Sequence, residues 1–156
     1  GGHAAVQHFL RQAAREGFQH AVDVFAARNA PGTRVSAGER EVVQITAAVL
    51  NQCGFCKAGH TALSTKKKLL EPQAIEALRN TTALDDAKLN QLALFTQSVI
   101  AKKGNVADDE LQAFFAAGYN EQQALEVVLG VALATLCNFA NNLAHNEINP
   151  QLQAYA

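Results

Sequence analysis

The chain has 156 residues, of which 49% are apolar and 17% charged, and its formal net charge is -1 at pH 7. That length suits one domain with its own core, and the near-zero charge excludes a general field that would recruit nucleic acid or an anionic membrane. Charged residues usually make up about 25% of a domain, so many alanine and leucine side chains need covering, and burial between copies of the chain is one way to cover them.

Read in order, nearly everything has a helical period. A first amphipathic helix is expected over 4–16, with Val6, Phe9, Leu10 and Ala13 on one face, and a second over 19–29 through Val22, Phe25 and Ala26. The turn-like stretch 30–33 follows. Ser36 and Glu39 match a capping box, so a third helix starts there and carries Val42, Val43, Ile45, Ala48 and Val49 to about residue 51. Gly54 breaks the pattern before a helix over 55–68, and the run Lys66, Lys67, Lys68 reads as its solvated end. A short helix carries Ile75 to Leu78. Asp85 and Asp86 start the next, whose stripe of Leu89, Leu92, Phe95, Thr96 and Val99 runs toward Gly104.

The stretch 106–120 is a compact helical unit with Asp108 as its expected cap and Gly118 as its stop. The last long helix covers about 121–145, and 149–156 reads as a loose tail. Its richest apolar run, 124–137, contains Glu126 and is shorter than the roughly 20 residues that span a bilayer. No stretch alternates like a strand, so the fold class is all-α in a single domain over 1–156. Gly1, Gly2 and His3 lack the basic lead into an apolar stretch that marks a secretory leader. Three cysteines in a chain with its own core do not make a secreted disulfide framework, so a cytoplasmic setting is expected.

Cys53 and Cys56 lie three residues apart, with His60 four beyond the second. Steps of about 100° bring all three onto one stripe if the helix is regular from Cys53. Cys53 would sit in the first turn, where unpaired N–H groups and the dipole favour a thiolate. His60 is placed to exchange a proton with Cys56 across one turn.

Several chemistries compete for this pattern. Haem attachment requires histidine directly after the second cysteine, and Lys57 stands there instead. A structural zinc site needs four ligands, and Cys53, Cys56 and His60 supply three, with Cys137 or His145 as distant fourths. Two small buried thiols, or a reversible redox pair, are the other readings. Glu41 favours the last. Glu39 already serves the helix start, and Glu41 shares a mostly apolar stripe with Ile45 and Ala48, so it is expected to face inward as the partner that orients His60.

The stretch 39–66, with Glu41 twelve residues before Cys53 and His60 four after Cys56, resembles the signature of the AhpD-like, or carboxymuconolactone decarboxylase, superfamily, in its alkylhydroperoxidase, peroxidase-related branch. A weaker likeness runs on through 106–145, so the resemblance covers about 36–145. It implies an all-helical homo-oligomer, a trimer or hexamer, that reduces hydroperoxides or disulfides without a bound cofactor or metal. Its reductant would be a thiol donor or a lipoylated partner protein, and neither nucleic acid nor membrane is implied. Cys56 would be the peroxide-attacking thiol, Cys53 the resolving one, and Glu41 and His60 the proton relay.

The argument from the helix terminus alone would instead make Cys53 the attacking thiol. Peroxidase members carry a histidine directly before the second cysteine, where this chain has Phe55. That change favours disulfide reduction, which needs only the thiol pair. The decarboxylase branch generally lacks the paired cysteines. Asn138, Asn142 and His145 share a helical face and are candidate lining of the pocket beside Cys56, whereas Cys137 reads as inert core.

Overall fold

The computed structural model describes residues 34–156, and the two helices expected before residue 30 lie outside them. Six α-helices follow in order: α1 (Ala37–Leu50), α2 (Gly54–Lys66), α3 (Pro72–Asn80), α4 (Ala87–Ala101), α5 (Asp108–Ala116) and α6 (Glu121–Leu143), with a closing 3-10 helix, Pro150–Tyr155. No strand occurs among the described residues, and the all-α class holds.

The helix starts follow local chemistry. Ser36 caps α1: its Oγ accepts the Glu39 N–H at 3.2 Å while Glu39 Oε2 accepts the Ser36 N–H at 2.7 Å. Asp86 caps α4 by accepting the Leu89 N–H at 2.9 Å. Asn120 and Gln123 form the reciprocal box at α6. Asp108 is not the cap of α5. The cap position falls on Ala107, whose N–H reaches Glu110 Oε2 at 3.0 Å, and Asp108 becomes the first helical residue. The Glu110 carboxylate, three residues into the helix, instead reaches back to the N–H of the cap residue, half of a capping box that needs no polar side chain at Ala107. Gly118 does stop the unit, with φ at +100°, a conformation glycine adopts without penalty.

α1 is the central element and packs against α2, α4 and α6. Its Val42, Val43 and Ile45 join Leu78 of α3, Leu92, Phe95 and Val99 of α4, Phe114 of α5, Tyr119 of the turn after α5 and Val127 of α6 in one core. Phe114 stacks between Phe95 (4.1 Å between centroids) and Tyr119 (4.5 Å). α6 approaches α1 closely at Gly130, where an added Cβ would lie 3.1 Å from Val43 Cγ1, and Gln44 Nε2 donates to the Gly130 carbonyl at 3.1 Å.

Two expectations are corrected at the C-terminal end. α6 runs for 23 residues, long and apolar enough by length and composition to cross a membrane, so the shorter run 124–137 understates it. One face of it nonetheless lies in the core, through Gln123, Val127, Gly130, Ala134, Cys137 and Asn138. The tail is also not loose. Its 3-10 helix packs on α2 because the Arg79 guanidinium donates to the carbonyls of Tyr155 (2.7 Å) and Ala156 (2.5 Å) and to Thr61 Oγ1 (3.0 Å). A tail with few apolar residues is held by charge-assisted hydrogen bonds that no periodicity reports.

Candidate active site

The turn Asn51–Gln52 between α1 and α2 sets up the site. Gln52 takes a left-handed conformation at φ 54°, and the Cys53 N–H returns to the Ala48 carbonyl at 2.9 Å. Cys53 is thereby the N-cap of α2 with extended backbone, just outside the helix. Its sulfur folds back over the first turn and accepts the Cys56 N–H at 3.3 Å, as an oxygen would in an ordinary cap. Cys53 and Cys56 are both reduced and both buried, at 1% and 7% exposure, against Ala48 with Phe55 packed alongside.

Glu41, near the middle of α1, faces α2. Its Oε2 lies 2.8 Å from His60 Nδ1 and accepts from Ser64 Oγ at 3.4 Å, with Glu41 and His60 both buried. A buried acid and imidazole therefore satisfy one another, and the acceptor at Nδ1 fixes the ring's orientation.

The thiols are electrostatically unequal. The Cys53 thiol is lowered to about 7, chiefly by hydrogen bonding from the Cys56 thiol, helped by the Cys56 N–H, the charge on His60 and the Phe55 N–H, and opposed by burial. The Cys56 thiol is pushed up, because it donates to Cys53, is buried and lies beside the charge on Cys53; hydrogen bonding from Asn138 acts in the other direction. The directions make Cys53, at the helix terminus, the more acidic thiol and favour retention of the proton by Cys56. The direction of these shifts is that of the helix-terminus argument, which favours Cys53, whereas the resemblance implies Cys56 as the attacking thiol.

Asparagines close the other side. Asn138, fully buried, accepts from Asn51 Nδ2 at 3.0 Å through Oδ1 and bonds Cys56 through its amide. Asn141 Nδ2 lies 3.4 Å from Cys56 Sγ and 2.8 Å from the Cys137 carbonyl, while its own Oδ1 accepts from Asn146 at 2.6 Å. Asn141 was not singled out from the sequence. Its spacing of three from Asn138 on an apolar helix was the available signal.

The other two expected lining residues stand apart. Asn142 is exposed and donates to the Asn51 carbonyl at 2.9 Å. His145 is exposed beyond the end of α6, with φ at 49°, so the shared helical face assumed for it ends before it is reached. Cys137 is buried with a raised pKa, from burial and then the charge on Cys53. No group of three or more His, Cys, Asp or Glu side chains among the described residues is arranged to hold a metal ion.

The sequence matches the model of the carboxymuconolactone decarboxylase family over residues 15–98. The fold is similar to that of an uncharacterized peroxidase-related protein with an alkylhydroperoxidase AhpD core from Ralstonia eutropha JMP134. The TM-score is 0.74 at 18% identity, over 88% of this chain and 71% of that one. It is also similar to an uncharacterized peroxidase-related protein from Silicibacter sp. TM1040, with TM-score 0.73, 16% identity and the same coverage, 88% and 71%. Comparison with curated proteins gives no match. Identities this low carry the fold, and the fold is AhpD-like.

Proposed function

The chain belongs to the carboxymuconolactone decarboxylase family, and from that premise and the thiol geometry we propose that it is a thiol-dependent oxidoreductase that cycles Cys53 and Cys56 through a disulfide. The observation that carries the reading is the Cys53 sulfur at the N-terminus of α2, accepting a backbone N–H and hydrogen-bonded by the Cys56 thiol. A thiolate held there at neutral pH is a nucleophile.

With a disulfide substrate, the Cys53 thiolate attacks one sulfur and expels the other as a thiolate, forming a mixed disulfide. Cys56 then gives up its proton through His60, braced by Glu41, and attacks Cys53, releasing the second thiol and closing the Cys53–Cys56 disulfide. With a hydroperoxide, the same pair yields an alcohol and water by way of a sulfenic acid on Cys53. An external dithiol returns the pair to its reduced form. Phe55, in place of a second imidazole, withholds a proton from the departing alkoxide, so disulfides are the faster substrates.

Mass spectrometry of Cys53→Ser and Cys56→Ser proteins after brief exposure to a small aromatic disulfide or to peroxide tests the scheme. The expected adduct forms on Cys53 of the Cys56→Ser protein. An adduct only on Cys56 of the Cys53→Ser protein would reverse the roles. Reaction of neither thiol faster than free cysteine would end the redox reading.

A further inference from the structure

The outward side of α6 carries a row of large, exposed apolar side chains. Leu125 is 71% exposed, Leu136 59%, Phe139 56% and Leu143 61%, with Leu129 less so. Together with exposed Ala132 they fall at 125, 129, 132, 136, 139 and 143, alternating steps of four and three. That is the a/d repeat of a two-helix seam, with Leu129, Leu136 and Leu143 at one position and Leu125, Ala132 and Phe139 at the other. The only charges on α6 are Glu121 and Glu126, both in its first two turns, so no charge interrupts the seam after its first step.

We propose that this seam is covered by α6 of a second copy of the chain, running antiparallel across a two-fold axis. The row is symmetric about position 134: reversing a second copy sets 125 against 143, 129 against 139 and 132 against 136. In that arrangement small Ala132 faces Leu136, and bulky Phe139 faces Leu129. A parallel pair would put Ala132 on Ala132, leaving a void, and Phe139 on Phe139, crowding the next layer. It would also place the four carboxylates of Glu121 and Glu126 at one end and align the two helix dipoles.

The area is adequate. At roughly 150–200 Å² for a large apolar side chain in the open, covering the exposed parts of the seam removes about 1,000 Å² from water over two copies. Exposed Val128 and the polar flanks add to this, and specific interfaces begin near ~1,200 Å² in total. The opposite side of α6 carries Cys137, Asn138 and Asn141 toward the thiols, so the pairing would brace the wall of the site from behind. The pairing stands whether or not the redox reading does.

Light scattering on the full chain, with charge pairs built into the ends of the seam, tests both contact and direction. The wild type is expected as an even-numbered assembly. Leu125→Lys with Leu143→Lys puts like charges together in the antiparallel register and should halve the mass. Leu125→Lys with Leu143→Glu puts opposite charges together and should keep it. All these positions are exposed in the protomer, so circular dichroism should show unchanged helix content. The milder Leu136→Ala, expected to raise the dissociation constant by at least tenfold, covers the case in which a charged variant fails to fold.

Dissociation of both double variants would overturn the antiparallel register, and retention of mass by the Lys/Lys protein would overturn the interface. A monomeric wild type at micromolar concentration would overturn the pairing altogether. Assembly appearing only on deletion of residues 1–33 would then assign the cover to the chain's own first residues, and sedimentation with phosphatidylcholine vesicles would assign it to lipid.

Discussion

At the scale of single residues, the site depends on which sulfur holds the proton. Because the Cys53 pKa is lowered to about 7, its thiolate fraction and its alkylation by iodoacetamide should rise with pH through a midpoint near 7. Cys56→Ala removes the largest cause of that lowering, so the midpoint should move up toward the ~8.5 of an ordinary thiol. An unmoved midpoint would mean that the helix terminus and His60 suffice. The sign for stability follows: a depressed native pKa stabilises the reduced fold fully above the unfolded thiol's pKa, and that share is lost as pH falls through about 7.

Asn141 makes a second residue-scale prediction. Asn146 fixes its carbonyl and so turns its amide N–H toward Cys56, where in the proposed cycle it would steady charge on that sulfur as the disulfide opens. Asn141→Ala should slow disulfide turnover roughly tenfold, the equivalent of one hydrogen bond of ~1.5 kcal/mol. Asn146→Ala should do less, since it acts only through Asn141. Equal turnover in the wild type and Asn141→Ala would leave Asn141 a packing residue.

At the scale of elements, helices are set by their ends and joined by a few polar clasps. Ser36→Ala removes the Oγ that caps α1 and should cost about 1 kcal/mol in urea unfolding. Cys53 reactivity should survive it, because Glu41 sits more than a turn further on. Arg79→Ala cuts the three bonds that tie the closing 3-10 helix and Thr61 together. Amide hydrogen exchange should then quicken over 150–155 while the α1 amides stay protected. Equal exchange in both proteins would show that packing on α2, including Lys66 over the Tyr155 ring at 5.7 Å, holds the segment unaided.

At the scale of the molecule, the site and the core share one scaffold. α1 contributes Val42, Val43 and Ile45 to the main cluster, Ala48 to the cysteines, and Glu41 to His60. Phe114 lies far from the thiols in sequence but stacks at the centre of that cluster and is fully buried. Phe114→Ala should therefore cost about 3–5 kcal/mol. Loss of far-UV circular dichroism and loss of fast Cys53 alkylation should follow one denaturation curve. Two separate transitions would mean that the thiol site unfolds independently of the core.

The sequence by itself determined most of the elements and pointed to the candidate quartet of Glu41, Cys53, Cys56 and His60. Helical period, the Ser36–Glu39 box and Gly118 act within a few residues, so α1, α2, α4 and α6 and the turn after α5 were legible before any packing was known. Glu41 was legible for a related reason: an acid on an apolar stripe needs a buried partner, and His60 Nδ1 is 2.8 Å away. Tertiary structure decided what depends on distance between elements. A helical wheel weighs His60 against the helix terminus but cannot show the Cys53 sulfur folded back over the first turn, where the Cys56 thiol and then the backbone N–H groups lower its pKa. Nor can it show that Asn141 rather than Asn142 or His145 reaches Cys56, because that depends on how α6 is rotated against α2 and where it ends. The seam on α6 needed both levels: its spacing is in the sequence, but only the fold shows that Val127 and Ala134 turn inward and leave Leu125 to Leu143 outside.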